Sequence, residues 1–290
     1  MFGKLIKNEF KLTGGPIAIT FAVYVLLSAV LLGAIRAGVV PVLAMVLLFL
    51  ISLGQSFVVL GLLVVNYYRS MSGRTAYLTH SVPVPPTHHY FSKMIVSSLY
   101  LFLSQCALIS VLWLGYRTSL RDDVSADISR LYSSISQSVF ESLGMSGIRP
   151  FLPILAIIML LLSCVFSCAT YFFAVTLGTS RFFRKMGVVG PIIVYFIQSS
   201  IMQVLVMAAM FTIPLGMTIS VDLMRSGEMV SVEWVNKSYA WWFFEQISST
   251  SSGEVPSSFI GVGAYIVQPV LMAILILWSI RIVKKHSGVR

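Results

Sequence analysis

Two groups of side chains have the types and spacing that metal chemistry uses. His80, His88 and His89 fall within ten residues, and Cys164 and Cys168 stand four apart. Imidazoles and thiols are the ordinary ligands of zinc and its neighbours. The histidines, however, have no cysteine or carboxylate near them and lie in the Pro-rich stretch SGRTAYLTHSVPVPPTHHYFSK, residues 72–93. They read as a solvated or protein-contacting surface. Cys164 and Cys168 share a helix face inside an apolar run and read as small packing residues. With Cys106 they make an odd number, and no disulfide framework follows.

Catalytic patterns are absent. There is no G-x-x-x-x-G-K-[ST], so no P-loop for a nucleotide, and neither H-E-x-x-H nor G-x-S-x-G occurs. No Asp or Glu lies within any long apolar run, where proton relays and acid catalysis would need one. A lipid-directed enzyme is therefore the weakest class. What the apolar runs do hold is neutral polarity. Ser52, Gln55 and Asn66 fall on nearly one helix face, since eleven residues make about three turns. Such a stripe can line a passage or glue helices together. Gln198 and Gln203, five apart, lie on different faces. These five residues are the candidate pathway-lining set.

The elements that must position them are membrane spans. Hydrophobic residues make up 57% of the 290 residues and charged residues only 10%, against roughly 25% charged in a soluble domain. A span needs about 20 apolar residues. Six windows qualify, near 16–35, 40–67, 94–116, 151–178, 188–213 and 259–280. The expected fold is a single all-α transmembrane domain over 1–290. With the N-terminus inside, the cytoplasmic segments hold thirteen Lys and Arg against one acid, Glu9. The outer segments then hold seven against nine acids. Positive charge retained inside explains this alternation, and both termini are expected in the cytoplasm. The net charge of +10 then reflects orientation and anionic lipid heads, not nucleic acid. The first span reads as uncleaved.

Outside the spans, MFGKLIKNEFKLT places Phe2, Leu5, Ile6 and Phe10 at helical spacing opposite lysines. This predicts an amphipathic interfacial helix over 1–15, stopped by Gly14-Gly15-Pro16. The outer segment 117–150 carries one apolar helical stripe, Val124 to Leu143. The outer segment 214–258 contains SYAWWFFEQ, whose four adjacent aromatics suit an interfacial belt or a re-entrant helix. Asn236-Lys237-Ser238 matches a glycosylation acceptor, a pattern common by chance.

The segment 68–93 carries Tyr68-Arg69, Gly73-Arg74, Ala76-Tyr77-Leu78-Thr79, Ser81-Val82-Pro83-Val84 and Ser92-Lys93. This run, and the opening MFGKLIKNEFKLTG, resembles the permease subunits of ATP-binding-cassette (ABC) exporters of the second type. Val82 replaces the leucine usual there, and His88-His89 is unusual. The resemblance implies a mechanism in which two permeases, identical or sibling, pair. Each docks a cytoplasmic ATPase through a coupling helix after the second span. Arg69, Arg74, Tyr77, Leu78 and Pro83 would carry that contact. Prolines lower the entropy lost on docking, Tyr77 and Leu78 supply anchors, and the arginines meet acidic residues. The loop with Arg181, Phe182, Phe183, Arg184 and Lys185 is a second contact candidate or plain positive-inside anchoring. No cofactor is expected in this chain, since ATP and magnesium would sit on the partner. The expected place is a plasma membrane, and an amphipathic cargo (peptide, antibiotic or lipid) suits the apolar passage. The competing reading is a non-transporting sensor or assembly partner with the same fold.

Overall fold

A segment crossing hydrocarbon must satisfy its own main-chain polar groups, which makes long apolar stretches helical. The computed structural model describes residues 2–38, 41–71, 85–119, 152–180, 183, 186–187, 189–222, 229–249, 258–261 and 263–287. Among these, six helices are long and apolar enough to cross a membrane. They are α1 (Phe2–Arg36), α2 (Pro41–Met71), α3 (Pro86–Ser119), α4 (Leu152–Gly178), α5 (Val189–Thr212) and α7 (Gly263–Ser287). A shorter α6 (Tyr239–Ser249) precedes the last. The chain is thus a multi-pass membrane protein with an all-α spanning body. Large apolar side chains face outward on every span, among them Ile19, Val42, Ile109, Ile158, Phe196 and Leu277. An exposed apolar surface this extensive is a fault in water and the proper surface against acyl chains.

The elements depart from the sequence expectation in several places, and α3 starts at Pro86 and not near 94. Gly14-Gly15-Pro16 does not stop the first helix, because α1 runs on for 35 residues with Pro16 inside it. The amphipathic segment 1–15 is therefore an extension of the first span and not a separate interfacial helix. Packing overrides the poor local propensity: Thr13 and Ile17 are buried on either side of the break. At Gly14 an added Cβ would come within 3.3 Å of the Tyr100 hydroxyl. The last span starts only at Gly263, since Ser258–Gly261 is strand β3. And the segment 214–258 is more than loop and interfacial helix: it also holds β1 (Gly216–Asp222) and β2 (Met229–Val235). The stripe over 117–150 lies outside the described residues.

The chain forms two compact units. The first comprises residues 1–121, 158–198 and 274–290. In it α1, α2 and α3 pack on one another, and α4 adds to a shared core. Ile17, Val59, Leu63, Tyr67, Tyr90, Met94, Leu101, Cys164, Cys168, Phe172 and Val175 form that core. The two sulfurs on α4 are thus packing residues in apolar surroundings. The α4 and α5 helices meet where their backbones nearly touch: a Cβ on Gly178 would lie 2.4 Å from Pro191 Cα. One to two turns further along, the Tyr171 and Tyr195 rings stack at 4.8 Å.

The second unit comprises residues 122–157 and 199–273. Its three strands form an antiparallel sheet in the order β2-β1-β3. Gly216 stands opposite both Val235 and Gly261. Gly261 and Gly263 let the chain pass close to the end of α5, where a Cβ would lie 2.7 Å from Met210 Cγ and 2.8 Å from Ile213 Cβ. Ser238 caps α6: its Oγ accepts from the Trp241 N–H at 3.3 Å, and its carbonyl accepts from Trp242. Tyr239 holds α6 to Phe211 with ring centroids 5.1 Å apart. Trp241, Phe243 and Phe244 are left exposed.

Candidate functional site

Of the residues singled out for function, Asn66 and Arg69 lie where the end of α2 meets the first turns of α1 and α3. Helices α1 and α3 run parallel, with α2 antiparallel to both. The level is fixed by Phe2 against His88 (5.6 Å), Phe10 against Tyr100 (5.3 Å) and Tyr67 against Tyr90 (6.4 Å). Across this level Lys93 Nζ donates to Glu9 Oε1 at 2.5 Å, with 3% and 12% of the two side chains exposed. Thr13, Asn66, Tyr67, Ser97 and Phe172 complete a narrow cleft around the pair.

Each partner is held from its own helix. Glu9 sits one turn before Thr13, whose Oγ1 donates to the Glu9 carbonyl at 2.7 Å. Lys93 follows Tyr90 and Ser92, both fully buried, in the second turn of α3. That helix begins at Pro86, where a fixed φ and a missing N–H are harmless; the Pro85 carbonyl accepts the His88 N–H at 2.9 Å. Behind the pair, Tyr67 stacks on Phe172 at 3.9 Å and its hydroxyl lies 2.8 Å from Thr176 Oγ1. Tyr90 meets both rings edge-on. A buried ion pair costs desolvation and repays it only with good geometry, and the aromatic wall keeps that geometry.

The structure therefore revises the reading of 68–93. Residues 86–93 are the first turns of a core helix, and His89 is buried, not solvated. Lys93, counted as a topogenic charge, is a buried partner. His88 remains exposed beside Phe2, and Arg69 lies exposed in the last turn of α2. Arg74, Tyr77, Leu78 and Pro83 lie outside the described residues, as do Arg181, Phe182, Arg184 and Lys185.

The pathway-lining candidates disperse. Asn66 lines the cleft beside the ion pair. Ser52 is buried, donates to the Leu48 carbonyl at 2.7 Å, and lies 3.1 Å from the Tyr24 hydroxyl. The same hydroxyl is 3.4 Å from the Ala107 carbonyl, so this contact ties α1, α2 and α3 together. Gln55 and Gln198 are buried and Gln203 is exposed. No hydrogen bond among the described residues joins the two α5 glutamines to the α2 stripe. Nor do the described residues hold a group of three or more His, Cys, Asp or Glu suited to a metal. The cleft contains no activated nucleophile. Its chemistry is that of a joint: two charges neutralise each other and lock two helices at one level.

Sequence reasoning missed the pairing, although one signal was present. Glu9 is the sole acid among thirteen inner bases, and a lone acid on an amphipathic helix calls for a specific partner. Comparison of the chain with protein-family models, curated proteins and solved structures gives no match in any of the three.

Proposed function

We propose that this chain is the transmembrane subunit of an ABC exporter in a plasma membrane. It would form the translocation pathway and couple through residues 68–93 to a separate cytoplasmic ATPase that carries ATP and magnesium. The permeases would act as a pair, and the cargo would be amphipathic. One observation supports this most. Helices α2 and α3 have 31 and 34 residues, about 46 and 51 Å at 1.5 Å per residue, whereas the hydrocarbon core is about 30 Å thick. Both are long enough to extend past it, the 72–84 segment connects their expected cytoplasmic ends, and α1 braces the α3 end through Glu9 and Lys93. A segment attached to braced helix ends suits the transfer of force from a partner better than one on a flexible tether. The sequence resemblance of 68–93 and 1–14 points the same way.

The test is a mild-detergent pull-down from the native host, with co-purifying chains identified and counted. An ATPase subunit at one copy per permease is the expected result. Its absence, where a known ABC complex survives the same procedure, overturns the proposal. The Ser52–Tyr24 contact favours a second reading, a non-transporting sensor or assembly partner, because it uses part of the polar stripe as glue. The two separate on the double substitution Tyr77→Ala and Leu78→Ala. Transport by the inserted protein should fall at least tenfold if the segment couples an ATPase, and there is no flux to lose otherwise.

A further inference from the structure

Pairing of Glu9 inward leaves the opposite face of α1 purely basic. Lys4, Lys7 and Lys11 recur at three and four residues and are all exposed, so they form one ridge along the helix. The ridge lies across the helix from Glu9, Thr13 and Ile17, which face the bundle. Glu9 is the only acid in the inner segments, and it is held by Lys93. Among the described residues the three ammonium groups therefore have no counter-charge.

The depth of the ridge selects its ligand. The apolar run of α3 begins at Met94, one residue after Lys93, so the level of Glu9 marks the inner edge of the hydrocarbon. Measured from Glu9, Lys11 then lies about 3 Å to the hydrocarbon side, and Lys7 and Lys4 about 3 Å and about 7 Å to the cytoplasmic side. The headgroup layer on one side is about 5–8 Å thick. All three ammonium groups reach that layer, given that lysines extend along their stems toward the interface. Just below the ridge, Leu12 and Ile19 are 59% and 67% exposed, which is acyl-chain territory. A cytosolic acidic protein would have to descend into the headgroups to meet Lys11.

We infer that the Lys4–Lys7–Lys11 ridge is a binding surface for anionic phospholipids of the inner leaflet. Each lysine near such a surface is worth about 1 kcal/mol, so three discriminate anionic from neutral lipid by roughly a hundredfold. The inference does not depend on the transport proposal, since it uses only α1, its ion pair and its depth.

The experiment uses the full-length protein in neutral detergent. Phosphatidylglycerol or phosphatidylcholine is added, and bound lipid is counted by native mass spectrometry alongside the thermal midpoint. The wild type is expected to retain phosphatidylglycerol selectively and to melt higher in it. The triple variant Lys4→Gln, Lys7→Gln, Lys11→Gln should lose the selectivity while keeping its midpoint in phosphatidylcholine. A control, Lys237→Gln, should behave as wild type. Undiminished selectivity in the triple variant overturns the inference. So does a soluble poly-glutamate peptide that displaces phosphatidylglycerol from the ridge at low micromolar concentration, which would mark an acidic protein as the better ligand. If the triple variant melts lower in both lipids, charge reversal at Lys7 alone decides: lost selectivity supports the inference and retained selectivity overturns it.

Discussion

At the residue scale the Glu9–Lys93 pair makes the sharpest demand. Removing one partner strands the other charge in a site where 3% or 12% of the side chain meets solvent. Such losses cost about 3–5 kcal/mol, while replacing both partners with well-packed neutral groups is often tolerated. Lys93→Met is therefore expected to lower the unfolding midpoint in detergent strongly, and Glu9→Gln/Lys93→Met to recover most of the loss. A single variant with an unchanged midpoint would show that the pair is not buried in solution. Removing the Tyr67 hydroxyl is a milder test: Tyr67→Phe loses the contact to Thr176 and should cost about 1 kcal/mol or less. The two halves of the ion pair were individually visible in the sequence, as a lone acid and as a lysine preceding a span. Their pairing was not, because 84 residues separate them and only packing of α1 beside α3 brings them level.

At the element scale, hydropathy located the spans well, because the requirement for internal hydrogen bonding leaves a long apolar run no alternative to helix. It failed at their ends. Gly14-Gly15-Pro16 reads as a stop locally, yet Ile17 and Thr13 are buried against neighbours that the local sequence does not reveal. The sheet has a signal in the sequence: Met217, Ile219 and Val221 alternate with small or polar residues, as do Val230, Val232 and Trp234. The α4–α5 crossing gives a test of close packing. Gly178→Ala sets a Cβ against the Pro191 backbone, which cannot yield as a side chain would, and should cost about 1–3 kcal/mol or more. Gly54→Ala, where nothing lies within 4 Å of the new Cβ, should be neutral or stabilise by up to about 1 kcal/mol. Thermal melts of the two in one detergent check the contrast, and equal effects would refute the crossing.

For the whole molecule, span count was the most legible feature. The sides are an expectation from charge, thirteen bases against one acid in the expected inner segments. A background with Cys106, Cys164 and Cys168 changed to Ala permits a direct check. A cysteine at Lys4 should react with an impermeant maleimide only in inverted vesicles, and one at Trp241 only in right-side-out cells. Labelling of both from one side would undo the topology. What remained illegible was the candidate site as a place. The five polar pathway candidates looked like one set, whereas Asn66 lines the inner cleft, Ser52 ties three helices and Gln203 faces outward. Ser52 makes its bonds within the bundle, whereas the buried amides of Gln55 (Nε2) and Gln198 (Nε2 and Oε1) have no hydrogen-bond partner among the described residues.

The unbroken α1 carries a mechanical corollary. Pro16 has no N–H to offer, so the Leu12 carbonyl lacks its usual partner in the turn that follows Glu9. Two glycines adjoin the gap. A rod of 35 residues thus has its lowest bending stiffness at one known joint, with the Glu9 anchor on the cytoplasmic side and the Tyr24 contact on the other. A load on the arm before Pro16 would concentrate as curvature at that joint, while the buried Thr13 and Ile17 on either side hold it against the bundle.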